Sequence, residues 1–157
     1  KKRTFFGTGN GILTSNGDIF GRGHLQSIER KTIPADLILL SSAFPNGSAF
    51  IETASLDGEK NYKPRNAFGE TMAFNRTTFQ FKGSFKGEKP HPDLHSFDGT
   101  LIINGQIVVI RGDKQLLYRG TKLMNTDYIY GLVVYTGKNT KIMKNSEAKT
   151  PEKMSQV

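Results

Sequence analysis

Residues 101–110 read Leu101-Ile102-Ile103-Asn104-Gly105-Gln106-Ile107-Val108-Val109-Ile110, and this run decides the fold class. Two apolar, largely β-branched arms meet at Asn-Gly, the pair best suited to a type I′ turn, whose twist matches that of the strands it joins. The reading is a tight antiparallel hairpin. Outward from it the same pattern recurs. Leu37 to Leu40, Ala49 to Ala54, Thr78 to Lys82 and Tyr128 to Tyr135 join Thr100 to Ile103 and Gln106 to Ile110 as short runs bounded by Gly, Pro, Asn and Asp. That spacing predicts a mainly β domain of the sandwich or barrel type. Helical periodicity is confined to short pieces, near Asn66 to Phe74 and from Thr140 onward. Pro64 to His95 reads as the most irregular region, and no internal repeat is visible.

Composition narrows the class. A chain of 157 residues is the size of one ordinary domain, long enough to bury about two thirds of its unfolded surface without staples. We therefore take 1–157 as a single domain, with 1–22 and 146–157 as flanking connectors. With no cysteine there is neither disulfide nor thiolate chemistry, which suits a reducing setting. No apolar run approaches the roughly 18 residues a membrane span needs. The sequence opens on Lys1-Lys2-Arg3, with no initiator methionine or signal-like segment, and reads as a piece of a longer chain. A net charge of +8, from 22 basic and 14 acidic residues, raises a nucleic-acid surface as an alternative. The bases are spread singly, apart from small clusters at Lys1 to Arg3 and in Lys138 to Lys153, and no recognition helix or stacking platform accompanies them. A solvated surface accounts for them better than nucleic acid does.

The stretch with the most to say about function is Ile51-Glu52-Thr53-Ala54-Ser55-Leu56-Asp57-Gly58-Glu59-Lys60-Asn61-Tyr62-Lys63. A strand-like run delivers the chain into an Asp57-Gly58-Glu59 corner, where glycine tolerates a tight backbone and Glu59 can stand out from a rigid edge. Asp-Gly-Glu alone is a common acidic turn, but its neighbours are specific. Glu52 to Asn61 resembles the signature loop of the actuator domain in phospholipid-flipping P-type ATPases, usually Glu-Thr-Ala-Asn-Leu-Asp-Gly-Glu-Thr-Asn. Upstream, Ile33-Pro34-Ala35-Asp36-Leu37-Ile38-Leu39-Leu40-Ser41-Ser42 is similar to that family's Pro-Ala-Asp strand. Downstream, Glu88, Pro90, Leu94, Phe97 and Gly99 match its Glu-x-Pro…Leu-x-x-Phe-x-Gly segment, and Leu117 to Lys144 matches a fourth block. The four blocks keep family order and spacing over roughly Gly23 to Asn145, whereas Lys1 to Arg22 finds little match.

The resemblance implies a distorted jelly-roll or β-sandwich-like actuator domain with short peripheral helices, on the cytosolic face of a membrane. It implies partners within the same chain, namely phosphorylation and nucleotide-binding domains and membrane helices, together with a phospholipid substrate and a small membrane accessory subunit. ATP and Mg2+ would serve the full-length protein, with no cofactor or metal held in this domain. In such ATPases an aspartyl-phosphate forms on the phosphorylation domain, and the actuator loop swings in to help hydrolyse it. Glu59 would position and deprotonate the attacking water, and Gly58 would let the backbone approach the phosphoryl oxygens. Asp57, Lys60 and Asn61 would shape the loop, while Pro34, Asp36, Glu52 and Thr53 would support its scaffold. Basic flanks suit chain ends near anionic headgroups.

Lys60 departs from the family pattern, standing where threonine is usual. Two readings stay open. Lys60 either points into solvent or onto phosphate oxygens, leaving Glu59 in service, or weakens Glu59 as a base and slows dephosphorylation. The second would suit a catalytically altered regulatory domain, including one fused to another enzyme. Tyr62 for leucine and His24 for aspartate are further departures. A basic β-domain that binds nucleic acid or anionic lipid is the remaining alternative. His91 and His95 are four apart, as in a helical zinc pair, but Pro92 between them argues for loop packing. Gly137-Lys138-Asn139-Thr140 misses the phosphate-loop spacing and reads as a strand-to-helix turn. Phe79, Phe81 and Phe85 read as one face of a half-buried strand.

Overall fold

The computed structural model describes residues 2–8, 11–14, 19–20, 32–72, 81–103 and 105–149, with side chains from residue 32 onward and excluding 81–83. Its organising element is a strand pair in the middle of the molecule. β4 (Asp36–Ser42) and β12 (Ile129–Tyr135) pair antiparallel, and every residue of both is buried. A run such as Leu37-Ile38-Leu39-Leu40 suits this position because a strand covered on both faces needs apolar residues at every step, not alternate ones. Alternation then sorts the side chains. Ile38, Leu40, Leu132 and Val134 join Phe85, Phe97, Leu101, Ile103, Val108 and Ile110 in one core cluster. Leu37, Leu39, Ile129 and Val133 join Ile33, Ala49, Ile51 and Leu123 in the other. Each fully buried residue of this size contributes on the order of 1.5–3 kcal/mol.

Three antiparallel sheets supply these layers. β10 (Leu116–Leu117) completes the central sheet in the order β10-β4-β12. On one side lies a six-stranded sheet of β1 (Lys2–Thr8), β2 (Gly11–Thr14), β3 (Ile19–Phe20), β7 (Phe81–Gly87), β8 (Asp98–Ile103) and β9 (Gln106–Arg111), in the order β3-β2-β1-β7-β8-β9. On the other, β5 (Ser48–Glu52), β6 (Tyr62–Asn66) and β11 (Lys122–Met124) form a sheet in the order β11-β5-β6. The result is mainly β and sandwich-like, as expected. The β8–β9 register closes Ile103 onto Gln106 across a two-residue connection, with Gly105 left-handed at φ 82°. Asn104 itself lies outside the described residues.

Several expectations need correction. The strand expected over Ala49 to Ala54 ends at Glu52, because Ala54–Asp57 winds into a single helical turn, α1. No helix forms over 66–72. Asn66 ends β6, and only a turn follows, in which the Phe68 carbonyl accepts the Thr71 and Met72 N–H groups and the Thr71 hydroxyl ties it to the Leu40 carbonyl. Residues 73 and 74 lie outside the described residues, as do 78–80 of the expected strand Thr78 to Lys82. Pro64 to His95 is less irregular than its composition suggests, since it contains most of β6 and all of β7. Pro64 is tolerated because β6 is an edge strand, where a missing N–H removes no ladder bond on the open side. The span 1–22, expected as a connector, carries β1 to β3, and β1 pairs along β7 from Lys2↔Lys86 to Gly7↔Phe81. Of 146–157, Ser146 to Lys149 belong to α2 (Lys141–Lys149), and the rest lies outside the described residues. The turn at Gly137–Asn139 is a 3₁₀ turn between β12 and α2, in keeping with its spacing.

Candidate functional site

The 53–63 loop leaves β5 and returns on β6, which pair antiparallel from Ser48↔Asn66 to Glu52↔Tyr62. Between them the chain makes one helical turn, with the Asp57 N–H donating to the Thr53 carbonyl (3.1 Å) and the Gly58 N–H to the Ala54 carbonyl (2.9 Å). Gly58 ends the turn in the left-handed region at φ 74°, ψ −2°. That geometry favours glycine at a helix C-terminus. A Cβ built on Gly58 would meet nothing within 4 Å, so its surroundings are open. Gly58→Ala is therefore expected to cost only the backbone term, about 1–2 kcal/mol, measurable as a lower urea midpoint with an unchanged m value.

Asp57 is the hub of the loop. Its carboxylate accepts from the buried Thr53 hydroxyl (3.1 Å to Oδ1 and 3.0 Å to Oδ2), from the Glu59 N–H (2.9 Å) and from the Lys63 ammonium (2.5 Å). Desolvation acts to raise its pKa, but the bonds from Lys63, the Glu59 N–H and Thr53 outweigh it and hold the carboxyl below the usual range. Lys63 also reaches Glu59 Oε2 at 2.8 Å. Its hydrogen bonds to Asp57 and then Glu59 push its own pKa up. The Glu59 side chain is 58% exposed. Ser55 pins the outer side of α1 by donating to the Gly120 carbonyl at 2.7 Å.

The remaining anticipated residues separate by place. Lys60 and Asn61 are exposed beyond the tip, and Lys60 makes no ion pair with any described residue. Glu52 is half-buried opposite Lys122 on β11. Pro34 is exposed, beside Ile33, whose N–H donates to the Thr121 carbonyl at 2.7 Å. Asp36 is fully buried, and its carboxylate bonds to backbone outside the loop. Its Oδ1 accepts the Arg119 N–H at 2.9 Å and its Oδ2 the Lys141 N–H at 2.7 Å. Burial raises its pKa against the opposing pull of those two N–H bonds and the Lys141 and Arg119 charges. The sequence reads as a corner here but does not announce Lys63 as a member of the network. The available signal is a cation that returns to the loop on the next strand.

His91 and His95 sit in the 88–97 segment, where His91 Nε2 pairs with Glu88 and His95 Nδ1 lies 3.3 Å from Asp113. Lys141, wholly buried, fastens this segment by donating to the Asp93 and Ser96 carbonyls at 2.7 and 3.0 Å. Beneath the 53–63 loop a cavity of about 240 Å³ is lined by Thr53, Leu56, Asp57, Lys63, Arg65 and Tyr118 among others, and Glu59 is not part of its wall.

These features define a mainly β domain that carries an outward-facing carboxylate on a braced loop. Comparison with known proteins places the chain in a family. The chain is 43% identical over 138 residues to probable phospholipid-transporting ATPase 7 of Arabidopsis thaliana, covering 86% of this chain and 11% of that protein. It is 43% identical over 127 residues to phospholipid-transporting ATPase C887.12 of Schizosaccharomyces pombe, covering 79% of this chain and 10% of that protein. With phospholipid-transporting ATPase DRS2 of Saccharomyces cerevisiae the identity is 35% over 164 residues, covering 93% and 12%. No protein-family model matches. The chain belongs to the phospholipid-transporting, type IV P-type ATPase family. It spans about a tenth of the length of the curated relatives it matches. Among the described residues no helix is long and apolar enough to cross a membrane.

Proposed function

We propose that this chain is the actuator domain of an ATP-driven phospholipid translocase and that Glu59 promotes hydrolysis of an aspartyl-phosphate in a partner domain of the same protein. The observation that carries this reading is the loop itself: an exposed carboxylate follows an open, left-handed Gly58, on a turn braced by Thr53 and Lys63 through Asp57. Water attacks phosphorus as Glu59 takes its proton; the new P–O bond forms, the bond to the aspartyl oxygen breaks, and phosphate and a free carboxylate result. Rotation of the domain would couple this step to movement of membrane helices on the cytosolic side. ATP and Mg2+ would be bound by the other domains.

The test is phosphoenzyme decay in the full-length protein. Glu59→Gln should make the phosphoenzyme persist, and decay at the wild-type rate would remove Glu59 from the reaction. The catalytically altered, regulatory reading turns on Lys60. Because Lys60 is exposed and makes no ion pair with a described residue, Lys60→Thr is expected to change the decay rate by less than about threefold, the scale of a surface charge change. A large acceleration would favour the regulatory reading instead.

A further inference from the structure

The cation that Glu59 meets is four residues away, on the returning strand. Lys63 Nζ lies 2.5 Å from Asp57 Oδ2 and 2.8 Å from Glu59 Oε2, so one ammonium joins both acids of the loop. Asp57 is itself fixed by Thr53 and by the Glu59 N–H. The chain of contacts therefore runs from buried Thr53, through Asp57 and Lys63, to the exposed tip. Lys63 enters on β6, opposite Ile51 in the β5–β6 ladder, and its side chain is only 25% exposed. It is thus built on a rigid element, whereas Glu59 is built on a turn.

We propose that Lys63 is a positioning residue for hydrolysis: anchored on Asp57, it holds Glu59 by Oε2 and leaves Oε1 to accept the proton of the attacking water. This rests on the actuator reading of Glu59. Two physical consequences support the assignment. A three-torsion side chain in solvent samples many rotamers, and a second point of attachment selects among them before the phosphoenzyme arrives. In addition, two carboxylates brought up to a phosphoryl group would repel it, and one ammonium shared between them offsets part of that charge. Lysine supplies a point charge that can serve both acids at once, and a guanidinium can do the same through its several N–H donors.

The experiment follows decay of the radiolabelled phosphoenzyme, formed from ATP in the full-length protein and then chased, for Lys63→Met, Lys63→Arg, Glu59→Gln and the double variant Lys63→Met with Glu59→Gln. Lys63→Met is expected to form phosphoenzyme normally and to slow its decay about 10- to 100-fold. Lys63→Arg should restore most of the rate, and the double variant should decay no more slowly than Glu59→Gln alone. Wild-type decay in Lys63→Met, with persistence in Glu59→Gln, would overturn the role of Lys63 and leave that of Glu59 standing. Multiplying effects in the double variant would also overturn it, because Lys63 would then act on the fold and not through Glu59. Wild-type decay in Glu59→Gln would instead overturn the parent reading. Should Lys63→Met fail to fold, Lys63→Gln replaces it, and decay equal to that of Lys63→Arg would overturn the proposal.

Discussion

Glu59→Gln is expected to leave phosphoenzyme formation intact and to slow its decay by about 10²- to 10⁴-fold, the range a positioned general base contributes. That corresponds to roughly 3–5 kcal/mol of lost transition-state stabilisation. The amide keeps the size of the side chain and can still hold a water, but it cannot take the proton. Formation should be spared because Glu59 stands exposed on a loop braced mainly through Asp57, its own carboxylate adding only the contact with Lys63. The Asp57–Lys63 pair survives the substitution, so the loop should keep its shape. Equal loss of formation and decay would point to misfolding, and the urea midpoint of the variant separates that case, since an exposed Glu→Gln change should move stability by no more than about 0.5 kcal/mol.

How much of this is legible from residues alone depends on the kind of pattern each element carries. β4 and β12 are visible because a continuous apolar run of strand length marks a strand buried on both faces, and the β8–β9 hairpin is visible because Asn104-Gly105 names its own turn. β6 is hidden. Tyr62-Lys63-Pro64-Arg65-Asn66 has no apolar alternation, and its one buried residue is Arg65, whose Nε donates to the Leu116 carbonyl at 2.9 Å and whose guanidinium lies over the Tyr118 ring. A buried arginine satisfied by a distant carbonyl leaves no local signal. α1 is masked for the opposite reason, since Ala49 to Ala54 continues a strand pattern that Gly58 and the Thr53–Asp57 hydrogen bonds override from four residues downstream. Lys63 needs tertiary knowledge, because only the β5–β6 pairing brings it back beside Asp57 and Glu59. Asp36 stands out in the sequence only by resemblance, because the partners that its buried carboxylate holds lie 83 and 105 residues away.

Those distant partners make Asp36→Ala the substitution with the largest expected effect on stability. The carboxylate holds the start of β4 to the Arg119 N–H and to the first N–H of α2, both at ordinary charge-assisted distances of 2.9 and 2.7 Å. Alanine leaves both donors without an acceptor, at a cost of about 1–3 kcal/mol for each buried group, so a loss of roughly 2–5 kcal/mol is expected in equilibrium urea unfolding. Because Arg119 precedes Gly120, whose carbonyl receives Ser55 from α1, the damage should reach the 53–63 loop and speed hydrogen exchange there. Asp36→Asn should not rescue the protein, since its amide turns a donor toward one of two N–H groups. The pH dependence gives an independent check. Burial leaves the folded-state pKa of Asp36 above 3.8, so between these two values the folded state binds more protons than the unfolded one. The Asp36 contribution to stability therefore falls as pH rises through that window, opposite in sign to that of Asp57, whose lowered pKa adds stability that is lost as pH falls below 3.8. Asp36→Ala should remove the first slope and keep the second. An unfolding free energy within about 0.5 kcal/mol of wild type, with the same pH profile, would mean that Arg119 and Lys141 find other acceptors and that the buried carboxylate does not hold the strand to the helix.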